Sequence, residues 1–446
     1  MGTRDGLKVD LGHLEVSEVV RPKDFRNHRK GVSMSRGILC LFVLALTMFA
    51  GSVIHAQSPI DWDADLRLRW ERRTPLPEND RTRGLSRLNL NFETQLDDLL
   101  EMRVTFRDSR FFIDGTDESE ISDEPVVHIL DFRIDDVSKI SPYLDFMEGW
   151  DLQFGRSELP TYDRGRIIHS DDWSNLGPAT SGGMHLHSDL LDGAIDFNFH
   201  HLTFSRDFTD ANNEGEHSSG IHLGLNELPF IEASLFLWQY RADQSNADLA
   251  VANGNSDPGS SEEDMYGFAF SIREGLIEDT TLSFEYALQE GNRYNAGLDS
   301  IQKLDSLYYA IEGTYDLPAM DRLWDLMLVF GHIRATGTSA GASRVEEFRS
   351  PFGTPHGTHG ITDIIGTSNV KDTYLGFQTL LAETEVEFMY HELRADQGQD
   401  WGEEINLIAR HQFGDLDVEL GAAKFNSLTG AFDSTSFFYA QTHWDF

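Results

Sequence analysis

Five arginines occupy alternating positions near the start of the regular part of the chain. Arg67 and Arg69 stand two apart in LRLRWERR, Arg87 follows in SRLNLNF, and Arg103 and Arg107 bracket VTF. A guanidinium fork binds carboxylates and phosphates through two parallel hydrogen bonds, so a row of them is chemistry for an anion. The setting is unusual for the chain. Residues 57–110 hold 10 arginines against 11 acidic residues, while 111–446 hold 18 basic against 59 acidic. Glu71, Glu93, Glu101 and Asp108 share these segments, so pairing within the wall is the other use open to the arginines.

A second group of charges lies between Gly155 and Leu186, in GRSELPTYDRGRIIHSDDWSNLGPATSGGMHL. A strand-like run, WDLQFGR, enters it and GMHLH leaves it, with roughly 25 residues between; loops of that length are usually functional or disordered. Tyr162, Ile167, Ile168 and Trp173 give this one apolar anchors, which argues for a segment folded back on the body. Arg156, Arg164, Arg166, Asp172 and Trp173 therefore join the five strand arginines as the expected binding residues.

The elements that position them repeat with period two. Leu88, Leu90 and Phe92 alternate with Arg87, Asn89, Asn91 and Glu93, and Met102, Val104 and Phe106 alternate with Glu101, Arg103, Thr105 and Arg107. Such alternation marks a strand with two different faces. The pattern returns at Leu282-Phe284-Tyr286-Leu288, Val386-Phe388-Tyr390 and Leu416-Val418-Leu420. About eighteen such segments follow Trp62, joined alternately by short turns and long polar loops, as in an outer-membrane barrel. Phe438, Ala440, Thr442, Trp444 and the terminal Phe446 share one face of the last segment, which resembles the assembly signal of bacterial outer-membrane proteins. The expected fold is all-β, a transmembrane antiparallel β-barrel of about 18 strands with short periplasmic turns, long extracellular loops and both barrel ends in the periplasm. A barrel of 16–18 strands leaves an aqueous channel, so the arginine face is expected to line water, with loop 156–181 folded into the lumen and the other loops acting as lids.

The N-terminus fits export to that membrane. Arg36 precedes an apolar run from Ile38 to Ile54, and Ile54-His55-Ala56 supplies a cleavage site, the anatomy of a secretory signal peptide. Residues 1–33 are expected to be a polar extension, most simply explained by a start codon assigned too early, 34–56 the signal peptide, and 57–446 the barrel of the bacterial outer membrane. The single cysteine, Cys40, falls within the signal, so the mature chain offers no disulfide and no thiolate.

Other chemistries leave weaker traces. His356 and His359 in GTPHGTHG are spaced to share a metal, but no third ligand accompanies them. Acidic loops such as Asp114–Glu120 and Ser260–Asp264 carry oxygen ligands suited to Ca²⁺ without the EF-hand spacing, and no cofactor is otherwise expected. His185, His187, His200 and His201 lie near serines and aspartates at no diagnostic spacing; a barrel-borne hydrolase acting on lipid or glycan is the alternative they leave open. The acidic balance argues against nucleic acid.

The central stretch resembles the alginate export family of outer-membrane porins. Gly155-Arg156, Leu159, Tyr162-Asp163, Arg166-Ile167-Ile168 and Asp172-Trp173-Ser174-Asn175 followed by Gly177 match that family's run, and the arginine-rich opening is similar. After the tryptophan the chain departs, with Pro178, Thr180, Ser181 and Gly182 where the family has arginine and then phenylalanine-aspartate-glycine. The resemblance implies a porin for diffusion or export of a hydrophilic anionic solute such as an acidic saccharide. Membrane lipid, lipopolysaccharide and periplasmic export machinery are the partners it implies.

Overall fold

The computed structural model describes residues 60–74, 81–113, 125–170, 172–174, 180–204, 216–226, 228–242, 261–272, 276–295, 300–317, 325–339 and 342–446. The chain divides into Met1–Gln57 and Ser58–Phe446, and all described residues belong to the second unit. The signal segment, the polar extension, the acidic loop Asp114–Glu120, and Asn175, Gly177 and Pro178 lie outside the described residues.

Eighteen antiparallel strands form one sheet that closes on itself. β1 (Asp61–Thr74), β2 (Arg81–Gln95), β3 (Glu101–Ile113), β4 (Val126–Ile134) and β5 (Trp150–Glu158) build the first wall. β6 (Thr180–Leu190), β7 (Ile195–Phe204), β8 (Glu216–Leu225) and β9 (Ile231–Ala242) continue it. β10 (Ser261–Ile272), β11 (Thr280–Asn295), β12 (Ser300–Leu317), β13 (Asp325–Ala335) and β14 (Val370–Leu381) form the opposite side. β15 (Thr384–Ala395), β16 (Asp400–Phe413), β17 (Leu416–Ser427) and β18 (Thr435–Asp445) return to the start. β1 pairs with both β2 and β18, Leu66 facing Trp444 across the closure. Closure leaves no strand edge, which a sheet in hydrocarbon requires, because an unpaired backbone group there costs several kcal/mol.

The two faces follow the alternation. Leu68, Leu88, Leu90 and Phe92 are exposed on the outside while Arg67, Arg69, Arg87 and Arg107 are buried on the inside. Leu235, Leu237, Leu375 and Leu407 continue the exposed apolar band. An apolar outer face around a polar interior is an outer-membrane barrel turned toward lipid.

Short turns gather on the rim that carries both barrel ends. Asp97 accepts from the N–H groups of Leu99 and Leu100 at 2.8 and 2.9 Å to close the β2–β3 turn. The longer β4–β5 connection on this rim is filled by two 3-10 turns, Val137–Ile140 and Pro142–Met147, capped by Asp136 and Ser141. Its exposed Tyr143 and Phe146 suit the headgroup level.

The boundaries differ from the sequence reading in two places. β5 runs through Glu158, so Arg156 belongs to the wall and not to the inner loop. β10 begins at Ser261, so Glu262, Glu263 and Asp264 are strand residues, and Glu263 binds Arg293 at 2.6 Å instead of joining an acidic loop.

Leu407 sits mid-strand on the outer face, 48% exposed. Leu407→Arg should cost about 2–4 kcal/mol of folding free energy in lipid bilayers, read by urea titration; an unchanged midpoint would place that face away from hydrocarbon.

Candidate functional site

Among the described residues, two loops enter the lumen. The β5–β6 loop (159–179) carries Leu159, Ile167 and Ile168 into an apolar cluster with Phe236 and Trp238 of β9 and Tyr308 of β12. The β13–β14 loop (336–369), read from sequence as a lid, adds Phe348 and Ile365 to the same cluster. Part of the interior is therefore dry, and the water-filled lumen expected from strand count is narrowed. The loops also bind each other. Ser350 donates to the Ile167 carbonyl at 2.7 Å, His169 Nε2 donates to the Gly353 carbonyl at 3.0 Å, and Trp173 stacks on His356 with centroids 3.6 Å apart.

The strand arginines hold the first loop from the opposite side. Arg67 and Arg87 face each other directly across β1 and β2, a like-charge pairing that is destabilising on its own. The loop inserts its oxygens between them. Arg87 grips the Asp172 carboxylate with two bonds of 2.5 and 3.0 Å. Arg67 donates to the carbonyls of Asp172 at 2.5 Å, Trp173 at 3.2 Å and Ser174 at 2.8 Å. Arg69 donates to the Trp173 carbonyl and lies 4.1 Å over the Trp173 ring. Glu71 completes the group, bound by Arg69 and Arg83 at 2.6 Å each. Burial opposes the charge of Asp172, but the Arg87 hydrogen bond and charge and then Arg67 outweigh it, so this carboxyl lies below its usual range.

The same loop is tied to the far wall through its own arginines. Arg166 binds Glu285 of β11 at 3.4 Å, Glu312 of β12 at 2.7 Å and the Tyr374 hydroxyl of β14 at 3.2 Å. Arg164 pairs with Glu312, and its backbone N–H donates to Glu285 at 3.0 Å. Burial works against the Arg166 charge, yet Tyr374 and Glu285 more than compensate and hold it protonated.

Between the loops and the wall lies a cavity of about 760 Å³. Arg67, Arg164, Arg166 and Arg410 meet it from one set of positions, and Asp172, Glu312, Glu387 and Glu419 from another. Arg410 is held by Glu419 at 2.6 Å and Glu385 at 3.0 Å. Two glycines make room for its aromatic lining. Tyr374 lies across Gly331 and Tyr439 across Gly421, where an added Cβ would stand 2.3 and 1.9 Å from the rings. Tyr439 then donates to Glu419 at 2.7 Å and meets Trp173 edge-on.

Arg103, Arg107 and Arg156 are placed elsewhere. Arg103 forks onto Asp131 at 2.9 and 2.7 Å, Arg107 donates to Asn89 at 2.7 Å, and Arg156 to the His128 carbonyl at 3.1 Å. Of the ten expected residues, Arg67, Arg164, Arg166, Asp172 and Trp173 line the main cavity, Arg87 and Arg107 reach a second one of about 510 Å³ near the barrel ends, and Arg69 works through Trp173. Sequence reasoning missed Glu285, Glu312, Tyr374, Glu387, Arg410 and Glu419. The signal was an isolated acid in an apolar run, FEYAL for Glu285 and AIEGT for Glu312.

His356 and His359 do not converge. His356 is bonded to Asp363 at 2.6 Å, whereas His359 Nδ1 meets Asp372 at 3.1 Å. His359 Nε2 stands 3.3 Å from the Thr367 hydroxyl, which sets hydroxyl, imidazole and carboxylate in a relay. All three residues are buried to within 3% of their surface, so no substrate reaches the hydroxyl.

Fold and interior define a class: an outer-membrane β-barrel of eighteen strands whose lumen is constricted by two interlocked loops. Solved structures of the same architecture are outer-membrane channels of the OprD/Occ type. Pseudomonas aeruginosa OccK11 (OpdR) superposes with a TM-score of 0.58 at 14% identity, over 86% of this chain and 95% of its own. OprD of the same organism gives 0.53 at 16%, over 86% and 95%. Pseudomonas aeruginosa OpdK with vanillate gives 0.55 at 13%, over 86% and 98%. At these identities the likeness is one of fold. No family model and no curated protein sequence matches the chain.

Arg166→Ala would remove a buried cation from Glu285 and Glu312, leaving Arg164 and Tyr374 as their remaining partners, a loss of up to about 3–5 kcal/mol in loop docking. Single-channel recordings should then show a larger, noisier conductance; an unchanged trace would mean that the ion pair does not hold the loop. Asp172 gives a pH test. Because its carboxyl titrates lower in the docked state than the free value of about 3.9, its contribution is present above that value and lost as pH falls through the docked one. Acidification below about pH 4 should loosen the loop in wild type, and Asp172→Asn should show the loosened level already at neutral pH.

Proposed function

We propose that this chain is a passive outer-membrane channel for small hydrophilic solutes bearing a carboxylate, acidic saccharides among them. The observation that carries this reading is the 760 Å³ cavity with guanidinium groups and carboxylates both exposed to it. Its size falls within the range of small-molecule sites. A sugar acid offers both kinds of partner: its carboxylate suits an arginine fork, and its hydroxyls donate to glutamates. Two further facts point the same way. The run from Gly155 to Gly177 resembles the alginate export family, whose solute is a polymer of sugar acids. OpdK, of like architecture, is described with vanillate, which is also a carboxylate. Lipid and lipopolysaccharide surround the outer face in this reading, and transport in the export direction would engage periplasmic proteins at the short-turn rim.

Planar-bilayer conductance in the presence of a uronate tests the proposal. Uronate should block the wild-type channel more strongly than glucose does. The Arg164→Ala, Arg410→Ala double variant should weaken that block about tenfold or more, since a hydrogen-bonded charge contact contributes roughly 1.5–3 kcal/mol. Equal block by uronate and glucose, or a block untouched by the double substitution, rejects a carboxylate solute.

A further inference from the structure

Away from the constriction, on the inner face beside the β6–β7 turn, four side chains from three strands converge. His187 and Asp189 come from β6, Asp196 from β7 and Asp151 from β5. Asp189 and Asp196 are directly opposite in the ladder, as are Asp151 and His187. Two carboxylates facing each other across a strand pair repel, a repulsion that a cation between them would relieve. His187 points Nε2 at both, 3.1 Å from Asp196 and 4.0 Å from Asp189, and the ligand atoms of the three residues all lie within 4.8 Å of one another.

The other ring nitrogen carries the stronger sign. His187 Nδ1 is 3.2 Å from the Asp151 carboxylate. A carboxylate on the far nitrogen of an imidazole fixes its tautomer and orients it, which is the usual outer support of a metal-bound histidine. Asp196 is oriented in its turn, accepting from Asn198 Nδ2 at 2.8 Å, and Asn198 is held by His185 at 2.9 Å.

We propose that His187 Nε2, Asp189 and Asp196 bind one divalent transition-metal ion such as Zn²⁺, with Asp151 as the positioning residue. Ligands about 2.0–2.2 Å from Zn²⁺ stand roughly 3.4 Å apart at tetrahedral corners. The observed separations, from 3.1 Å to at most 4.8 Å, bracket that value. One nitrogen and two carboxylates leave a coordination position open toward the lumen, where water or a carboxylate solute completes the sphere.

The test is calorimetric titration of the detergent-solubilised, EDTA-treated barrel with ZnCl₂ at neutral pH, paired with Co²⁺ absorption to report coordination. One site per chain is expected. His187→Ala should abolish it, and Asp151→Asn should weaken it roughly 10–100-fold without removing a ligand. The Asp189→Asn, Asp196→Asn double variant, which relieves repulsion and so preserves folding, should abolish it as well. No one-site binding at millimolar zinc overturns the proposal, and so does a site unchanged by His187→Ala or by the double variant.

Discussion

A loop placed inside a pore has no neighbouring strand to satisfy its carbonyl groups, and on that constraint the interior of this barrel depends. Buried backbone oxygens need donors as surely as those of a sheet do. Arg67 and Arg69 supply them for Asp172, Trp173 and Ser174, and Arg87 supplies the charge that holds the Asp172 side chain. The arrangement also answers the reverse question, how a wall tolerates Arg67 facing Arg87. Loop oxygens, one carboxylate and Glu71 disperse the positive charge. Wall and loop are each unfavourable without the other.

The second consequence is a division of charge across the lumen. The inner face of β1–β3 carries arginines, while Glu285, Glu312, Glu387 and Glu419 come from β11, β12, β15 and β17. Arg164 and Arg166 cross the gap as part of the loop and anchor it on the acidic side. Cation donors on one end and carboxylates on the other stretch the β5–β6 loop over the opening. Opposed charges in a narrow, partly dry space act at lower effective dielectric than in bulk water, so they would orient the charged, hydroxylated solute proposed above.

The wall was legible in the sequence because a membrane strand writes both of its environments into every second residue. Eighteen segments, their alternating connections and the inward placement of Arg67, Arg69, Arg87, Arg103 and Arg107 follow from that period. What the arginines hold was not legible, since Arg67 meets its carbonyls more than a hundred residues away. The anchors Ile167 and Ile168 announced one inner loop; the second escaped because GTPHGTHG and its polar flanks read as surface. A hint lay in β9, where Leu235, Phe236, Leu237 and Trp238 are apolar on both faces. Leu235 and Leu237 meet lipid, and Phe236 and Trp238 meet the docked loops. An apolar inner face in a wide barrel signals that something other than water lies against it.

The loops interlock, and that limits how the constriction can work. Trp173 stacks on His356, Ser350 binds the Ile167 carbonyl, and Arg73 of β1 donates to Thr362 at 2.6 Å, so moving either loop breaks contacts of both. A solute can shift such an equilibrium only through its preference for one state. Converting a 99:1 closed population to 1:99 takes about 5.5 kcal/mol of differential affinity. A diffusion channel must also let its solute go, and a millimolar dissociation constant amounts to about 4.1 kcal/mol in total. The whole binding energy of a weakly held solute is thus smaller than the switching cost. In the channel proposed above, the two loops would form a standing constriction that a weakly held solute passes without opening it.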